Sequence, residues 1–584
     1  MLRWMGRGWG SVSRVLRRYF SEADSPYNLA LFRIVLFSCV LLSLDVDGLI
    51  WYSRVPVELR FPPFGMSRVL SVVPVTPALV HDVAVLFIFF SLLGLLGWFA
   101  RLSSLAAALC GIYAWGTPQL FGKIDHVYHV LIWFMIILSA SDCADVLSID
   151  AIGKAFREAD QGRLPNNGVS RKYGLPLRFI WLLMGIIYFF PGLWKLLAGW
   201  RWEFSDSLKY RLYEKWFILG WVPSFRIDQH PWLLRLSAFA TVSFELTFVF
   251  MIFFPWARWV AVAGGVFFHF MTNFFMRITF YQLQVCLVSF IDWAGIFVRA
   301  GAWLFKEPLY LFYDGNCKIC RRTIFSIRQF DVFQRVVYVN ALGREDVVPA
   351  KVPSIAAGDL ARDMHAVIGR EKRLGYEAYR ALALRIPIFW PWVPFLWLWP
   401  VPVLGKLIYR KVADSRLCQR RTVPIPVESV RSNEKSQGIK IIKWVGFFLL
   451  FVNSILGLDH MEAAWPFSCF PTFSALRDAP RVEKLMVYGV AGKTEHSINF
   501  EGYFAKYMEN QKISNLTFEI MNTPDGALRD SRFKSLVRMA GQTGVDLSGY
   551  SKIRFYKEDY DTDPDSGGHS ALSRELLMEY DPQP

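Results

Sequence analysis

Leu309-Tyr310-Leu311-Phe312-Tyr313-Asp314-Gly315-Asn316-Cys317-Lys318-Ile319-Cys320-Arg321-Arg322 divides this 584-residue chain into two unlike parts. An apolar run of β-formers, a glycine turn and a Cys-x-x-Cys opening a helix describe a strand, a turn and a helix that carries a dithiol. The spacing predicts that helix over 320–330 and a second strand at Val336-Val337-Tyr338-Val339. Free amides and the dipole at a helix N-terminus favour thiolate, and Lys318, Arg321 and Arg322 push the same way. Cys317 is therefore expected as the exposed attacking sulfur and Cys320 as the resolving one. Two other readings of the pair stand beside this one. It is half of a zinc site, although only Cys418 and His365 lie nearby and without proper spacing, or it is two inert core cysteines. No metal is expected. The eight cysteines are too few for a disulfide scaffold in so long a chain, and Cys39, Cys110, Cys143 and Cys286 read as small core hydrophobes.

Upstream of the dithiol the chain is strongly apolar. Hydrophobic residues make up 54% of the whole, aromatics 16% and charged residues only 20%, which excludes a purely soluble or disordered protein. Runs long enough for a hydrocarbon core of about 30 Å predict spans at 28–48, 83–100, 102–121, 127–147, 176–197, 233–254, 257–272 and 276–298, with a ninth from Trp444 to Leu458. The first run ends in Leu44-Asp45-Val46-Asp47-Gly48 rather than a small-residue cleavage site, so no cleaved signal peptide is read. In residues 1–24, Arg3, Arg7, Arg14, Arg17 and Arg18 share one helical arc opposite Trp4, Val12, Leu16 and Phe20, as in a helix lying on a membrane surface.

The net charge of +16 has two sources to choose between, nucleic acid and basic cytoplasmic loops. Lys154, Arg157, Arg163, Arg171 and Lys172 fall in one inward loop and Lys435, Lys440 and Lys443 in another, and no nucleic-acid-reading module is present. No nucleic-acid partner is expected. The resulting organisation is a basic segment 1–24, an α-helical membrane bundle 25–304, a cytoplasmic α/β dithiol domain 305–420, a linker 421–438, a further transmembrane helix 439–458 and an extracytoplasmic α+β domain 459–584. The setting expected from this is a bacterial inner membrane.

Three ionisable residues stand at or near span ends: His126 in Asp125-His126-Val127-Tyr128-His129, Lys195 in Pro191-Gly192-Leu193-Trp194-Lys195-Leu196, and His269 in Phe268-His269-Phe270-Met271-Thr272-Asn273. Alternating topology puts all three on the outer side, where they can share one pocket. Singly, Lys195 also reads as a snorkelling anchor and each histidine as a hydrogen-bonded packing residue. A partly desolvated lysine serves as a base, histidines hold protons nearby, and an aromatic cavity admits a lipid-soluble cofactor.

Around these residues the sequence resembles the vitamin K-dependent gamma-carboxylase family and its bacterial relatives, the HTTM (horizontally transferred transmembrane) domain proteins. Tyr188-Phe189-Phe190-Pro191-Gly192-Leu193-Trp194-Lys195-Leu196 is similar to the family's Tyr-Phe-x-x-Gly-x-x-Lys-Leu, and the two histidine segments match over roughly 25–300. The resemblance implies a reduced quinone as cofactor, Lys195 as the base that deprotonates it, and His126 and His269 holding intermediates. Downstream, Asp314, Cys317 and Cys320 match the Asp-x-x-Cys-x-x-Cys of the DCC family of thiol-disulfide oxidoreductases. Gly375-Tyr376-Glu377-Ala378, a proline-rich stretch and Tyr409-Arg410 follow that family's later pattern over about 308–418. This second resemblance implies a thioredoxin-like fold and a redox-active dithiol.

The function these readings predict is an integral membrane redox enzyme joining a quinol-dependent, carboxylase-like site to a CxxC domain. Its expected partners are membrane lipid, a protein or peptide substrate and a cellular dithiol reductant. The alternatives are a membrane-anchored thiol oxidoreductase with a non-catalytic bundle, or a peptide export partner.

Overall fold

A computed structural model describes residues 2–163, 168–199, 205–315, 317–340, 355, 359, 363–415, 437–461, 463–468, 473–505, 508–566 and 570–582. The predicted linker 421–438, apart from its last two residues, and Cys418 lie outside the described residues.

The bundle is organised around one long helix, Arg171–Ala198, started by the Ser170 hydroxyl, which accepts the Lys172 N–H. Over its most apolar stretch 61% of the residues are buried, against 22–28% for the other long apolar helices. It is the core of the bundle, and the others turn apolar sides outward. Phe89, Leu92, Phe239, Phe250, Phe267 and Phe270 are among those exposed side chains, a belt suited to hydrocarbon.

Nine spans were predicted. Among the described residues, five helices are long and apolar enough to cross alone: Pro77–Leu96, Arg171–Ala198, Pro231–Met251, Pro255–Met276 and Gly438–Leu458. Two bent pairs, Pro26–Leu42 with Val46–Arg54 (50°) and Tyr281–Phe290 with Trp293–Leu304 (68°), raise the count to seven. The third and fourth predicted spans are the helices Ala100–Ala114, of 15 residues, and Val127–Ser139, of 13. At about 1.5 Å per residue both fall short of a roughly 30 Å core. The predicted range 102–121 also takes in the buried 3₁₀ turn Thr117–Leu120, which a hydropathy average over the whole window does not separate from the α-helix before it. The run at 276–298 breaks where Asp292 accepts the Gly295 N–H and starts a new helix.

The dithiol domain holds four strands, β1 (Leu309–Tyr313), β2 (Val336–Asn340), β3 (His365–Ile368) and β4 (Glu371–Leu374), in the order β2-β1-β3-β4. β1 and β2 run parallel, joined through the helix Lys318–Arg328, while β3 is antiparallel to both β1 and β4. The period-two side-chain alternation of a strand sends Leu309 and Leu311 into a core with Ile324, Phe325, Ala366 and Leu382, and Phe312 to the other face with Val339 and Val367.

The C-terminal domain has β5 (Arg481–Ala491), β6 (Thr494–Ile498), β7 (Lys552–Asp561) and β8 (Ala571–Tyr580) in the all-antiparallel order β6-β5-β7-β8. The helices Asn510–Met521 and Gly526–Gln542 accompany it, with the Phe533 ring stacked on Phe555 at 4.5 Å. A short helix, Phe500–Phe504, precedes Asn510–Met521.

The two domains sit at opposite ends of the bundle. The dithiol domain joins the end where Arg171–Ala198 begins: the Leu147 N–H donates to the Gln329 carbonyl and the Tyr27 hydroxyl to the Arg328 carbonyl. At the other end, Lys512 forms a 2.6 Å ion pair with Asp125, and the Trp465 N–H donates to the Phe64 carbonyl. Arg171–Ala198 alone separates these ends by on the order of 40 Å.

Candidate dithiol site and bundle cavity

β1 ends at Tyr313, and the Asp314 carbonyl then accepts the Cys317 N–H at 3.2 Å, closing the turn that aims the chain into the helix. Gly315 donates its N–H to Asn340 Oδ1 at the end of β2. A Cβ at position 315 would stand 2.2 Å from that oxygen, so the approach requires glycine. Cys317 occupies the residue before the first helical turn, and its Sγ accepts the Cys320 N–H at 3.3 Å. A sulfur there receives an unsatisfied helix amide and the positive end of the dipole, which stabilise the thiolate. Asp314 is buried at the root of the turn.

One expectation is corrected. Cys317 was read as the exposed sulfur, yet it is 0% exposed, and Cys320 is buried too. The helix Ile149–Gln161, about 160 residues upstream, lies along Lys318–Arg328 and brings Ala155 and Ala159 into the same apolar cluster as both cysteines. The predicted thiolate-supporting cations face this helix instead. Arg321 is buried and donates to the Ala159 carbonyl (2.8 Å) and the Gly315 carbonyl (2.6 Å). Arg322 pairs with Asp160 (Nε to Oδ1, 2.9 Å), and Lys318 Nζ is 3.6 Å from the same carboxylate. The hydrogen bonds from Arg322 hold the Asp160 carboxyl below its ordinary range. Local sequence around the motif carries no sign of a covering element supplied from so far away.

The second candidate centre is a cavity of about 510 Å³ inside the bundle, within the size range of small-ligand sites. Its lining is largely aromatic and aliphatic, with Tyr188, Lys195, Glu245 and His269 among its polar groups. Lys195 Nζ donates to both Glu245 oxygens, at 2.6 and 2.8 Å, and both side chains are buried. The Tyr188 hydroxyl is 2.7 Å from His269 Nε2. His269 Nδ1, also buried, has no hydrogen-bond partner among the described residues.

Of the three residues singled out from sequence, Lys195 and His269 line this cavity and His126 does not. His126 precedes Val127–Ser139, with its ring 5.5 Å from that of His129, while Val127 and Val130 form the cavity wall. Its neighbour Asp125 takes the ion pair from Lys512, whose ammonium pKa is lowered by burial despite that partner. Sequence reasoning missed Glu245, although a signal exists. It is the one charged residue in Thr241-Val242-Ser243-Phe244-Glu245-Leu246-Thr247-Phe248, and a carboxylate in an apolar helix needs a partner. Among the described residues no group of three or more His, Cys, Asp or Glu side chains is placed to hold a metal ion.

A dithiol at the head of the first helix of a small mixed sheet, joined to a bundle with membrane-length apolar helices, defines an integral membrane protein of the dithiol redox class. Residues 311–421 match the family of DCC1-like thiol-disulfide oxidoreductases, so the chain carries a domain similar to that family. No curated protein and no solved structure matches the chain.

Proposed function

We propose that this protein performs thiol-disulfide exchange at Cys317 and Cys320, on one side of a membrane, with a protein or peptide as substrate and a cellular dithiol as reductant. The observation that carries this reading is Cys317 Sγ at the head of Lys318–Arg328, 3.3 Å from the Cys320 amide. The Cys317 thiolate attacks one sulfur of a substrate disulfide, forming a mixed disulfide and releasing a substrate thiolate that takes up a proton. Cys320 then attacks Cys317, the second substrate thiol leaves, and the Cys317–Cys320 disulfide is reduced again by the cellular dithiol. Four β-strands in the order β2-β1-β3-β4, with the dithiol helix after β1, support a thioredoxin-like reading of this domain. Expression of Cys320→Ser tests the scheme: a mixed disulfide through Cys317 should accumulate and be released by reductant. Equal trapping by Cys317→Ser would overturn the assignment of roles.

A second reading concerns the cavity, as a carboxylase-like site for a reduced quinone. It is supported by an aromatic lining interrupted by two polar pairs and by the unpartnered His269 Nδ1, a donor set that fits the ring oxygens of such a molecule. Tyr188, Lys195, Glu245 and His269 would hold it, and it would supply reducing electrons. Lys195 can pass a proton to Glu245 within the pair, leaving a neutral amine beside a neutral acid with no net charge stranded in the bundle. Mass spectrometry of co-expressed proteins, seeking a gained carboxyl group that disappears with Lys195→Ala, tests carboxylation. Persistence of that modification in the variant would exclude the role of Lys195.

A further inference from the structure

After the helix Tyr376–Arg385, the dithiol domain continues through two 3₁₀ turns, Pro387–Trp392 and Pro394–Trp397, into the helix Val401–Ser415. No side chain in either turn is buried. The sequence packs four tryptophans into positions 390–399, and Trp392 and Trp399 are 65% and 84% exposed. The following helix has two distinct faces. Gly405 sits so close to the Tyr376 ring that a Cβ would be 2.3 Å away, and the Tyr409 hydroxyl accepts the Met364 N–H at 2.9 Å, so this side is fixed to the domain. Leu404, Leu407 and Ile408 form an i, i+3, i+4 stripe that is exposed. With the turns they make one apolar surface facing away from the sheet.

What covers this surface follows from where the chain ties it. The domain begins directly after Trp293–Leu304, half of a bent membrane-length pair, and returns to the membrane-length helix Gln437–Leu458. The hydrogen bonds from Leu147 to Gln329 and from Tyr27 to Arg328 hold it against one end of the bundle. The apolar strip is continuous with that end: Trp303 is 79% exposed, and the ring of Phe333 contacts both Phe305 (6.2 Å) and Trp390 (5.6 Å). Tryptophan is the side chain of the membrane–water boundary. Exposed Lys406 and Lys411 on the same helix add the positive charge that acidic headgroups attract.

We propose that residues 387–411 form a lipid-docking face, seated in the interfacial zone of the leaflet at which the dithiol domain is tethered, with acidic phospholipid as its partner. The tryptophan turns and the Leu404, Leu407 and Ile408 stripe enter the headgroup boundary, and Lys406 and Lys411 meet the phosphates. The domain is thereby held in one orientation against the bilayer rather than swinging on its two tethers.

The test uses the full chain in nanodiscs of phosphatidylethanolamine and phosphatidylglycerol. Trp399→p-benzoylphenylalanine and Leu407→p-benzoylphenylalanine, both at exposed positions, are irradiated and compared with Arg370→p-benzoylphenylalanine in the exposed β3–β4 turn. Phospholipid adducts, read as a lipid-sized mass gain on the tryptic peptide, should be several-fold more abundant at 399 and 407 than at 370. Adducts at 399 and 407 no more frequent than at 370, or crosslinks there to another segment or a second copy of the chain, would overturn the proposal.

Discussion

At the dithiol the Cys317 sulfur is held by main chain: the Asp314 carbonyl fixes the turn, the Cys320 amide faces Cys317, and Gly315 lets β2 approach. In the cavity the polar side chains hold one another, Lys195 through Glu245 and Tyr188 through His269, on three different helices. A centre built from backbone depends on a dozen consecutive residues and is written locally in the sequence. A centre built from paired side chains depends on how distant helices pack, so loss of one partner propagates to the other.

That contrast is open to direct attack. Cys317→Ser should abolish exchange on a disulfide peptide while leaving the thermal unfolding of the detergent-solubilised protein in place, because a hydroxyl still fills the helix-capping position. Retained exchange would remove the dithiol from the mechanism. Glu245→Ala should cost about 3–5 kcal/mol of stability, since it leaves a buried ammonium without its partner. The double variant Lys195→Met, Glu245→Leu should recover most of that loss. Equal instability of the single and double variants, followed by thermal denaturation, would show that the pair is not the coupled unit described.

Gly315→Ala should cost about 1–3 kcal/mol through overpacking against Asn340, and Asn340→Gly in the same chain should relieve part of it. No relief would place the strain elsewhere. The smallest effect is expected at Asp160→Ala. Its ion pairs with Arg322 and Lys318 are largely solvent-exposed and screened by salt, so their removal should raise alkylation of Cys317 by iodoacetamide only severalfold. Because Arg322 lowers the Asp160 pKa, the contact is complete above the ordinary carboxyl value of 3.8 and is lost as pH falls through the lower folded value. Hydrogen exchange in Ile149–Gln161 should therefore show no loosening from neutral pH down to that point.

Legibility of the fold in the sequence follows the same division. The dithiol helix was expected at 320–330 and runs Lys318–Arg328, while β2 was expected at 336–339 and runs Val336–Asn340. Both are governed by short-range periodicity and turn chemistry. The spans were less legible, since Thr117–Leu120 and the break at Asp292 lie inside windows whose average is apolar yet leave the α-helix, and tertiary packing satisfies such backbone. Lys195 and His269 stood out as charges in apolar surroundings, whereas Glu245 was passed over for want of a visible partner. The burial of Cys317 was beyond local reading altogether, because Ala155 and Ala159 carry no mark that identifies what they will cover.

Ile149–Gln161 works as a roof over the sulfurs. Ala155 and Ala159 pack into the same apolar cluster as Cys317 and Cys320, and both sulfurs are buried. Lys154 of this helix and Lys172 of Arg171–Ala198 both pair with Asp145, which ties the helix to the bundle. If the proposed exchange takes place, this helix has to move aside for substrate, and the packing that conceals the sulfurs then also guards them from adventitious oxidants.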